Sequence, residues 1–332
     1  MKKRWIRVDG PGSLSIPTGE QAPPEGDQVL VRSIVSAISP GTELKFISGE
    51  FTHGCGTFTE EDPIGQRKDY PFQIGYSTVG EIIEAGSPEN SDLIGTKVFA
   101  HVPHQSSFLS HPSDLVFLPD DADPERFVFT ANMETAFNLI MDGRPMMGEE
   151  VLILGQGVVG LLLTRLLSDH PLANITTVEN HPERRKKSLE MGAHISITPE
   201  DLDPAISRCE GFDLVYEVTG NTDAINTAVK YSGFSARLVI GSYYGDRKGL
   251  LKLGDAFHRK RIRIISSQVS TIDPSLSGRW TIKRRLKTVL EGLNRIEPRR
   301  LISHEFSMED ALSAYDLLQG KKGDYIQILI TY

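Results

Sequence analysis

Residues 150–160, EVLILGQGVVG, decide the fold of this chain. A short apolar run predicts a strand that ends at Gly155, and the apolar segment 158–167 that follows predicts a helix. In this setting Gly155 permits a tight turn, Gly157 lets the backbone approach a pyrophosphate, and Gly160 lets the helix pack on the strand. The alternative is a strand-to-helix turn without a ligand. The context favours a dinucleotide site, with the N–H groups at the helix start facing the anion.

An acidic residue follows the next predicted strand at the spacing that such a site requires. This strand ends at Val178, and Glu179 lies 19 positions after Gly160. A carboxylate about 20 positions after the glycines accepts hydrogen bonds from the adenosine ribose. It would also repel a 2′-phosphate, so the sequence predicts NAD rather than NADP. Arg184 and Arg185 keep NADP open as an alternative, because arginines there could pair with a phosphate.

Strands and helices alternate on both sides of the glycine turn. This alternation predicts an α/β domain with a doubly wound parallel sheet of the Rossmann type. Ligands of such sheets bind at the carboxyl ends of the strands, although each segment there could be only a turn. The predicted strands are 150–154, 175–178, 213–218, 237–241 and 261–269, and the predicted helices are 127–141, 158–167, 182–191, 223–231, 280–293 and 308–318. The predicted cofactor-binding residues are Thr135, Gly155, Gly157, Val158, Val159, Gly160, Glu179, Asn180, Arg184, Val218, Thr219, Gly220, Gly241, Ser242, Tyr243, Ser266, Ser267 and Gln268.

The first part of the chain has a different character, because short strands alternate with turns rich in glycine and proline. Its clearest predicted strands are 28–37, 77–85 and 97–101, and the polar stretch 54–70 is predicted to be a surface loop. A final strand is predicted at 325–332. We therefore expect a first domain at 1–120, a cofactor domain at 121–270 and a C-terminal segment at 271–332, whose final strand must pair with some sheet.

Composition excludes several classes of protein. The 332 residues carry 44 acidic and 36 basic side chains, and this excess of acid argues against a general nucleic-acid coat. No apolar stretch approaches the length of a membrane span, and the N-terminus lacks the apolar run of a secretory signal. Two cysteines cannot form a disulfide framework or a four-cysteine zinc site. We expect a cytoplasmic protein with a small-molecule substrate.

Three segments of the first domain resemble motifs of the medium-chain dehydrogenase/reductase superfamily, and the resemblance extends over essentially the whole chain. Residues 40–43 (PGTE) lie where that family has Cys-Gly-Thr/Ser-Asp, residues 75–77 (GYS) lie where it has Gly-His-Glu, and residues 95–99 (GTKVF) are similar to its Gly-Asp-Arg-Val strand. Within the superfamily the chain is most similar to the bacteriochlorophyllide hydroxyethyl dehydrogenase subgroup and to uncharacterised bacterial relatives.

The resemblance implies a GroES-like β-barrel catalytic domain beside the Rossmann domain, with the active site in the cleft between them. It implies that the last strand returns to the barrel. It also implies a homodimer formed through the edge of the cofactor-domain sheet, for which the segment 261–269 is the expected edge.

The resemblance also predicts that this protein lacks the catalytic zinc of the family. Pro40 stands in place of the family's cysteine ligand and Tyr76 in place of its histidine ligand, and neither is a normal zinc ligand. The third ligand position falls near Ala131 or, one turn further, Glu134, and a lone Glu134 would not hold the ion. The residues His101, His104 and His111 straddle a strand and a loop, and they do not predict a metal cluster.

Without zinc, hydrogen-bond donors must stabilise the negative charge that develops on a carbonyl oxygen during hydride transfer. Thr42 lies at the position of the family's proton-relay hydroxyl. The phenol of Tyr76 can donate a proton, or it fills the space that the zinc would occupy. Glu43 and Glu134 are weaker candidates for a proton source, and Glu43 could instead orient its loop.

The predicted function is therefore a zinc-independent, NAD(H)-dependent oxidoreductase acting on a small alcohol/carbonyl pair. The alternatives are an NADPH-dependent reductase of quinones or enones and a non-catalytic nucleotide-binding regulatory protein. Residues 247–300 contain 15 Lys/Arg against 4 Asp/Glu. This segment indicates either the solvated face of the helix 280–293 or a site for an anionic substrate or an acidic partner.

Overall fold

The computed structural model describes residues 1–51, 69–203, 210–320 and 325–332. Contacts divide the chain into two compact units: unit 1 is Met1–Ala131 with Leu293–Tyr332, and unit 2 is Asn132–Gly292. Nearly all of the predicted surface loop, with Cys55, lies outside the described residues, and so does Cys209. No helix within the described ranges is long and apolar enough to cross a membrane.

Unit 2 is built on a six-stranded parallel sheet with the strand order β13-β12-β11-β14-β15-β16. The bounds are β11 (Glu150–Leu154), β12 (Asn174–Val178), β13 (Ile195–Ile197), β14 (Phe212–Glu217), β15 (Ser232–Ile240) and β16 (Arg263–Ser266). Leu154 lies beside both Val178 and Glu217, Glu217 lies beside Ile240, and Ile240 lies beside Ser266. The carboxyl ends of five neighbouring strands are therefore level, so the segments that follow them share one edge of the sheet.

Five helices of the described chain accompany this sheet. They are α3 (Thr130–Gly143), α4 (Val158–Leu167), α5 (Pro182–Glu190), α6 (Ala224–Tyr231) and α7 (Ile282–Arg295). The unit boundaries fall later along the chain than the predicted ones at residues 120 and 270. The difference arises because most of α3 and α7 lies in unit 2, where a buried ion pair between Glu134 and Arg285 joins them. The outer strand β16 is shorter than the predicted strand 261–269.

Unit 1 contains a mainly antiparallel sheet with the strand order β10-β8-β7-β5-β18-β17, and β9 also pairs with β5. Two smaller sheets pair β1 with β4 and β3 with β2 and β6. The bounds are β1 (Lys2–Arg4), β2 (Arg7–Gly10), β3 (Ser13–Ser15), β4 (Thr18–Glu20), β5 (Val29–Ala37), β6 (Phe72–Gln73), β7 (Thr78–Ala85), β8 (Lys97–Ala100), β9 (Ser107–Ser110), β10 (Val116–Phe117), β17 (Ile302–Ser307) and β18 (Gln327–Thr331). Its helices are α1 (Pro40–Ser48), α2 (Pro124–Phe127) and α8 (Ala311–Gln319).

The final strand returns to this sheet as predicted, because β18 lies between β5 and β17. Apolar side chains of α1, α8 and β18 form one buried core of the unit. The predicted fold class is confirmed in both units, and solved structures described below share it.

The helix α1 was not expected, because Pro40 and Gly41 suggested only a turn. Proline is well suited to the first turn of a helix, since its fixed φ fits and its missing N–H would have no helical partner there. The carboxylate of Glu43 accepts the backbone N–H of Ser39 at 2.7 Å and so caps the helix start. Gly49 ends the helix with a φ of 81°, a conformation that favours glycine.

Candidate cofactor and catalytic site

Gly155, directly after β11, and Gly160, in the first turn of α4, are required by the fold itself. Gly155 has a φ of 96°, and a Cβ atom there would lie 2.9 Å from the carbonyl oxygen of Val218. A Cβ atom on Gly160 would lie 2.2 Å from the carbonyl oxygen of Gly155. The turn and the close packing of α4 therefore exclude larger residues at these two positions.

The glycine between them, Gly157, has no such packing requirement. Gly157 has a φ of −69° and a ψ of −175°, which other residues adopt readily, and a Cβ atom there would meet nothing within 4 Å. Val158 and Val159 follow it in the first turn of α4, where backbone N–H groups lack helical partners. The open space at Gly157 fits the close approach of an anionic ligand to these N–H groups.

Glu179 lies directly beside the glycine turn. Its carboxylate is 8% exposed, and Oε2 accepts the backbone N–H of Gln156 at 2.9 Å while Oε1 accepts that of His181 at 3.0 Å. Each carboxylate oxygen can accept a second hydrogen bond. The side chain is thus held at the sheet edge with capacity left for two ribose hydroxyls, and the exposed Asn180 follows it.

Of the two neighbouring arginines, Arg185 is engaged with the backbone of this loop. The guanidinium of Arg185 donates from Nη1 to the carbonyl oxygens of Glu179 and Asn180, at 2.9 and 2.6 Å. Arg185 therefore fixes the backbone of this loop. Arg184 is half-buried on the same helix.

The segments after β14 and β15 are joined by a side-chain hydrogen bond. The hydroxyl oxygen of Ser242 accepts the backbone N–H of Gly220 at 2.8 Å. Gly241 lies against α3, where a Cβ atom would be 2.6 Å from Cδ2 of Leu139. Of the other predicted residues here, Thr219 is exposed, whereas Val218 and Tyr243 are half-buried.

A buried acid in this region was missed by the sequence analysis. Glu217 is the last residue of β14 and is fully buried, and its carboxylate accepts the N–H of Thr219 at 2.7 Å and hydroxyl protons from Thr219 and Tyr244. Burial, followed by the Glu217 charge, raises the pKa of the Tyr244 hydroxyl. The available signal was an acid that directly follows three apolar residues, Leu214, Val215 and Tyr216, in a predicted strand.

The segment after β16 is held from α3 and α7. Nδ2 of Asn138 donates to the hydroxyl oxygen of Ser267 at 3.1 Å and to the carbonyl oxygen of Gln268 at 3.4 Å. Nη1 of Arg285 donates to Oδ1 of Asn138 at 2.7 Å. Ser266 ends the strand, so these contacts fix the predicted cofactor segment 266–268 relative to both helices.

Glu134 is paired with a permanent cation, which argues against its predicted use as a proton source. Its Oε1 accepts from Nη2 and Nε of Arg285 at 3.0 and 3.3 Å, and the two side chains are 6% and 2% exposed. Thr135 lies beside it and is half-buried. Lys283 and Lys287 lie on the exposed face of α7, as expected, whereas the side chain of Arg285 is buried.

In unit 1 the structure brings the predicted catalytic hydroxyls together. The Tyr76 hydroxyl donates to Oγ of Ser39 at 2.5 Å and also shares a hydrogen bond with the buried Thr42. Burial raises the pKa of the Tyr76 hydroxyl, although its hydrogen bonds to Ser39 and Thr42 act in the opposite direction. The tyrosine is half-buried, so part of its ring remains accessible.

Glu43 points away from this pair into a second set of polar groups. Its carboxylate accepts the Ser39 N–H, the hydroxyl of Tyr315 at 2.7 Å and Nε2–H of His104 at 3.2 Å. It is 1% exposed. The structure therefore supports the orienting role that the sequence left open for Glu43.

The donor chemistry at the family's zinc positions does not fit the ion. The ring nitrogen of Pro40 has no free electron pair for a metal, and the Tyr76 phenol is hydrogen-bonded to Ser39. The third position falls near Ala131, whose side chain carries no donor atom, or Glu134, which is paired with Arg285. Among the residues that the structure describes, no three His, Cys, Asp or Glu side chains converge as metal ligands.

Comparison with known proteins agrees with this architecture. Residues 158–281 match the family model described as zinc-binding dehydrogenase. The chain is 23% identical over 289 residues to 2-desacetyl-2-hydroxyethyl bacteriochlorophyllide A dehydrogenase of Cereibacter sphaeroides, covering 80% of this chain and 81% of that protein. It is 25% identical over 206 residues to (R,R)-butanediol dehydrogenase of Bacillus subtilis, covering 52% of this chain and 59% of that protein.

Solved structures share the fold along the whole chain. An alcohol dehydrogenase from Escherichia coli CFT073 in complex with NADH has a TM-score of 0.80 at 18% identity, covering 100% of this chain and 99% of that one. A protein described as a zinc-binding dehydrogenase from Sinorhizobium meliloti 1021, bound to NADP, also has a TM-score of 0.80 at 18% identity, covering 100% of both chains. These matches support assignment to the zinc-type alcohol dehydrogenase-like, medium-chain dehydrogenase/reductase superfamily. The relatives that are named dehydrogenases support an oxidoreductase.

Proposed function

We propose that this protein is a zinc-independent, NAD(H)-dependent oxidoreductase that transfers hydride between nicotinamide and a small alcohol or carbonyl compound. The observation that carries the proposal is the pairing of Gly157, which has open space around it, with the Glu179 carboxylate beside the same turn. Gly157 is suited to a pyrophosphate and Glu179 to a ribose. The substrates named for the relatives, a butanediol and a bacteriochlorophyllide, support an alcohol/carbonyl pair.

The preference for NAD over NADP rests on charge. The Glu179 carboxylate would lie next to the 2′ position of the adenosine ribose and would repel a 2′-phosphate. Arg185 donates to two backbone carbonyls and is therefore already engaged in holding the loop. The Glu179 charge and the engagement of Arg185 both favour NAD over NADP. They therefore argue against the alternative of an NADPH-dependent quinone or enone reductase.

The substrate oxygen would be held by hydroxyl groups of unit 1. When bound, the nicotinamide supplies or accepts the hydride. Thr42 and Tyr76 can donate hydrogen bonds to an oxygen that gains negative charge, which is the task of a metal in zinc-dependent enzymes. Because Tyr76 keeps its proton at neutral pH, it is suited to act as a donor.

The remaining proposals concern partners. The strand β16 is the outer strand of its sheet and offers an edge to which a second copy could add, which supports a homodimer. The exposed lysines of α7 leave an anionic substrate as a proposal, although Arg285 is not available to bind it.

Calorimetric titration of the wild type and the Gly157→Ala variant tests the cofactor site. We expect the wild type to bind NADH at least ten times more tightly than NADPH. This ratio corresponds to a difference of about 1.4 kcal/mol or more in binding free energy. Gly157→Ala should keep the melting temperature and weaken NADH binding about tenfold or more, because the new methyl group fills the space for the ligand. Gly160→Ala is the contrasting variant, which should lose stability instead.

Three outcomes would contradict this reading. Unchanged NADH affinity in Gly157→Ala would separate the glycine from cofactor binding. Tighter binding of NADPH by the wild type would favour the quinone or enone reductase. Binding of neither cofactor would favour a protein without this activity.

A further inference from the structure

A hydrogen-bonded network of five polar side chains lies behind Thr42 and Tyr76 in unit 1. Its members come from separate parts of the chain: Ser36 on β5, Glu43 on α1, His104 before β9, Tyr315 on α8 and Tyr332 after β18. The first four are at most 1% exposed. Buried polar groups must be satisfied by partners, so the directions of the hydrogen bonds can be assigned.

The directions follow from the C-terminal end of the network. The Tyr332 oxygen accepts the backbone N–H of Gln105, and its hydroxyl lies 2.8 Å from Oγ of Ser36. Either hydroxyl could donate in this pair, and we assign the donor role to Tyr332 because its oxygen already accepts the Gln105 N–H. The Ser36 proton is then free to point at Nδ1 of His104, 2.7 Å away.

These directions define the state of His104. Its Nδ1 accepts a proton from Ser36, so Nε2 carries the ring proton and donates to the carboxylate of Glu43, with Nε2 lying 3.2 and 3.4 Å from the two oxygens. This hydrogen-bond pattern fits the Nε2–H tautomer of the imidazole. The assignment accounts for both ring nitrogens.

Every group that contacts the carboxylate of Glu43 donates to it. The donors are the Ser39 N–H at 2.7 Å, the Tyr315 hydroxyl at 2.7 Å and His104. Within the described ranges, no lysine or arginine forms an ion pair with Glu43. Three donors offset the cost of burying the carboxylate of Glu43.

The network contacts both segments that carry the hydroxyl pair. Glu43 directly follows Thr42 and fixes the N–H of Ser39, whose Oγ accepts from Tyr76. His104 also packs against Gly75, which precedes Tyr76 and has a φ of 103°, and a Cβ atom at Gly75 would lie 2.4 Å from Cδ2 of the imidazole. One side chain therefore touches the neighbours of both hydroxyl-bearing residues.

We propose that His104 is a positioning residue that, as the neutral Nε2–H tautomer, holds Glu43 as an anion behind Tyr76 and Thr42. The buried negative charge adds to the effect of burial in favouring the protonated form of Tyr76, so Tyr76 acts as a hydrogen-bond donor and not as a base. The contact of the Tyr76 hydroxyl with a substrate rests on the proposed function, whereas the arrangement of His104 and Glu43 does not.

The charge of Glu43 has a defined effect on Tyr76. Burial is the main cause of the raised pKa of the Tyr76 hydroxyl, and the Glu43 charge raises it further. The other titratable groups of the network are His104, Tyr315 and Tyr332, while His101 lies with Nδ1 3.2 Å from the Tyr76 carbonyl oxygen. Removal of the Glu43 charge should therefore lower the pKa of Tyr76.

The Glu43→Gln variant tests this by alkaline titration of the tyrosinate absorbance. Subtracting the curve of the matching protein with Tyr76→Phe isolates the Tyr76 signal. Glutamine keeps an acceptor for the Ser39 N–H and removes the charge, so we expect the pKa of Tyr76 to fall. Tyr315→Phe is the control, since it removes one donor to the same carboxylate and keeps the charge.

An unchanged Tyr76 titration in Glu43→Gln would overturn the proposal. An equal fall in Tyr315→Phe would also overturn it, by showing that loosened packing is sufficient. Nitrogen-15 NMR of the imidazole, assigned with His104→Gln, should show a protonated Nε2 and an unprotonated Nδ1 at neutral pH, and an imidazolium would contradict the assignment. These measurements need neither cofactor nor substrate, so their failure is distinct from a failure of the NADH titration.

Discussion

Replacement of Arg285 by methionine should destabilise the protein by about 3–5 kcal/mol, the usual cost of removing one partner from a buried ion pair. The substitution would leave the Glu134 carboxylate buried without its cation. It would also remove the donor to the carbonyl oxygens of Val269 and Thr271 and to Asn138. The change in the free energy of unfolding can be measured by urea denaturation followed by circular dichroism.

Lys287→Met is the matched control for this prediction. Lys287 lies on the same helix and is exposed. Its substitution should change the free energy of unfolding by no more than about 0.5 kcal/mol. Adding Glu134→Gln to Arg285→Met should recover part of the loss, because the unpaired charge disappears. Equal costs for Arg285→Met and Lys287→Met would refute the structural role of the pair.

Replacement of Glu179 by alanine should weaken NADH binding about 10- to 100-fold. A hydrogen bond to a charged group is worth about 1.5–3 kcal/mol, and the carboxylate is the expected acceptor for the ribose hydroxyls. NADPH binding should change less or improve, because the repulsion of the 2′-phosphate is removed with the charge. Calorimetric titration with both cofactors measures the change in preference.

Two further variants separate ribose binding from the shape of the loop. Glu179→Gln keeps an acceptor for the Gln156 N–H and loses the charge, so it should share the altered preference with a smaller loss of affinity. Glu183→Ala removes an exposed acid four residues further along the chain and should leave both affinities unchanged. If Glu179→Ala retained the NADH preference of the wild type, Glu179 would not be the ribose-binding residue.

The cofactor side of the fold could be predicted because its signals are local. The strand 150–154 and the helix 158–167 have the predicted bounds, since an apolar run is interrupted by glycines that the turn requires. Level strand ends then place Glu179 beside the same turn. Hydrophobic pattern and spacing contain all of this information.

The missed features depend on contacts between distant parts of the chain. Glu134 and Arg285 are separated by 151 positions, and Glu43 and His104 by 61. No local pattern distinguishes Arg285 from the exposed basic residues beside it, or His104 from a surface histidine. The helix α1 was missed for a local reason, because Pro40 and Gly41 indicate a turn as readily as a helix start.

Hydride transfer without zinc is tested most directly by measuring the turnover rate of protein whose metal content has been determined. The assay follows nicotinamide absorbance with NADH and a panel of small ketones and aldehydes, after dialysis against a chelator and again after adding zinc. We predict turnover by the metal-free protein at a rate that added zinc does not raise, because Pro40 and Tyr76 provide no ligand set for the ion. Turnover that is lost with the chelator and restored by zinc would contradict the account.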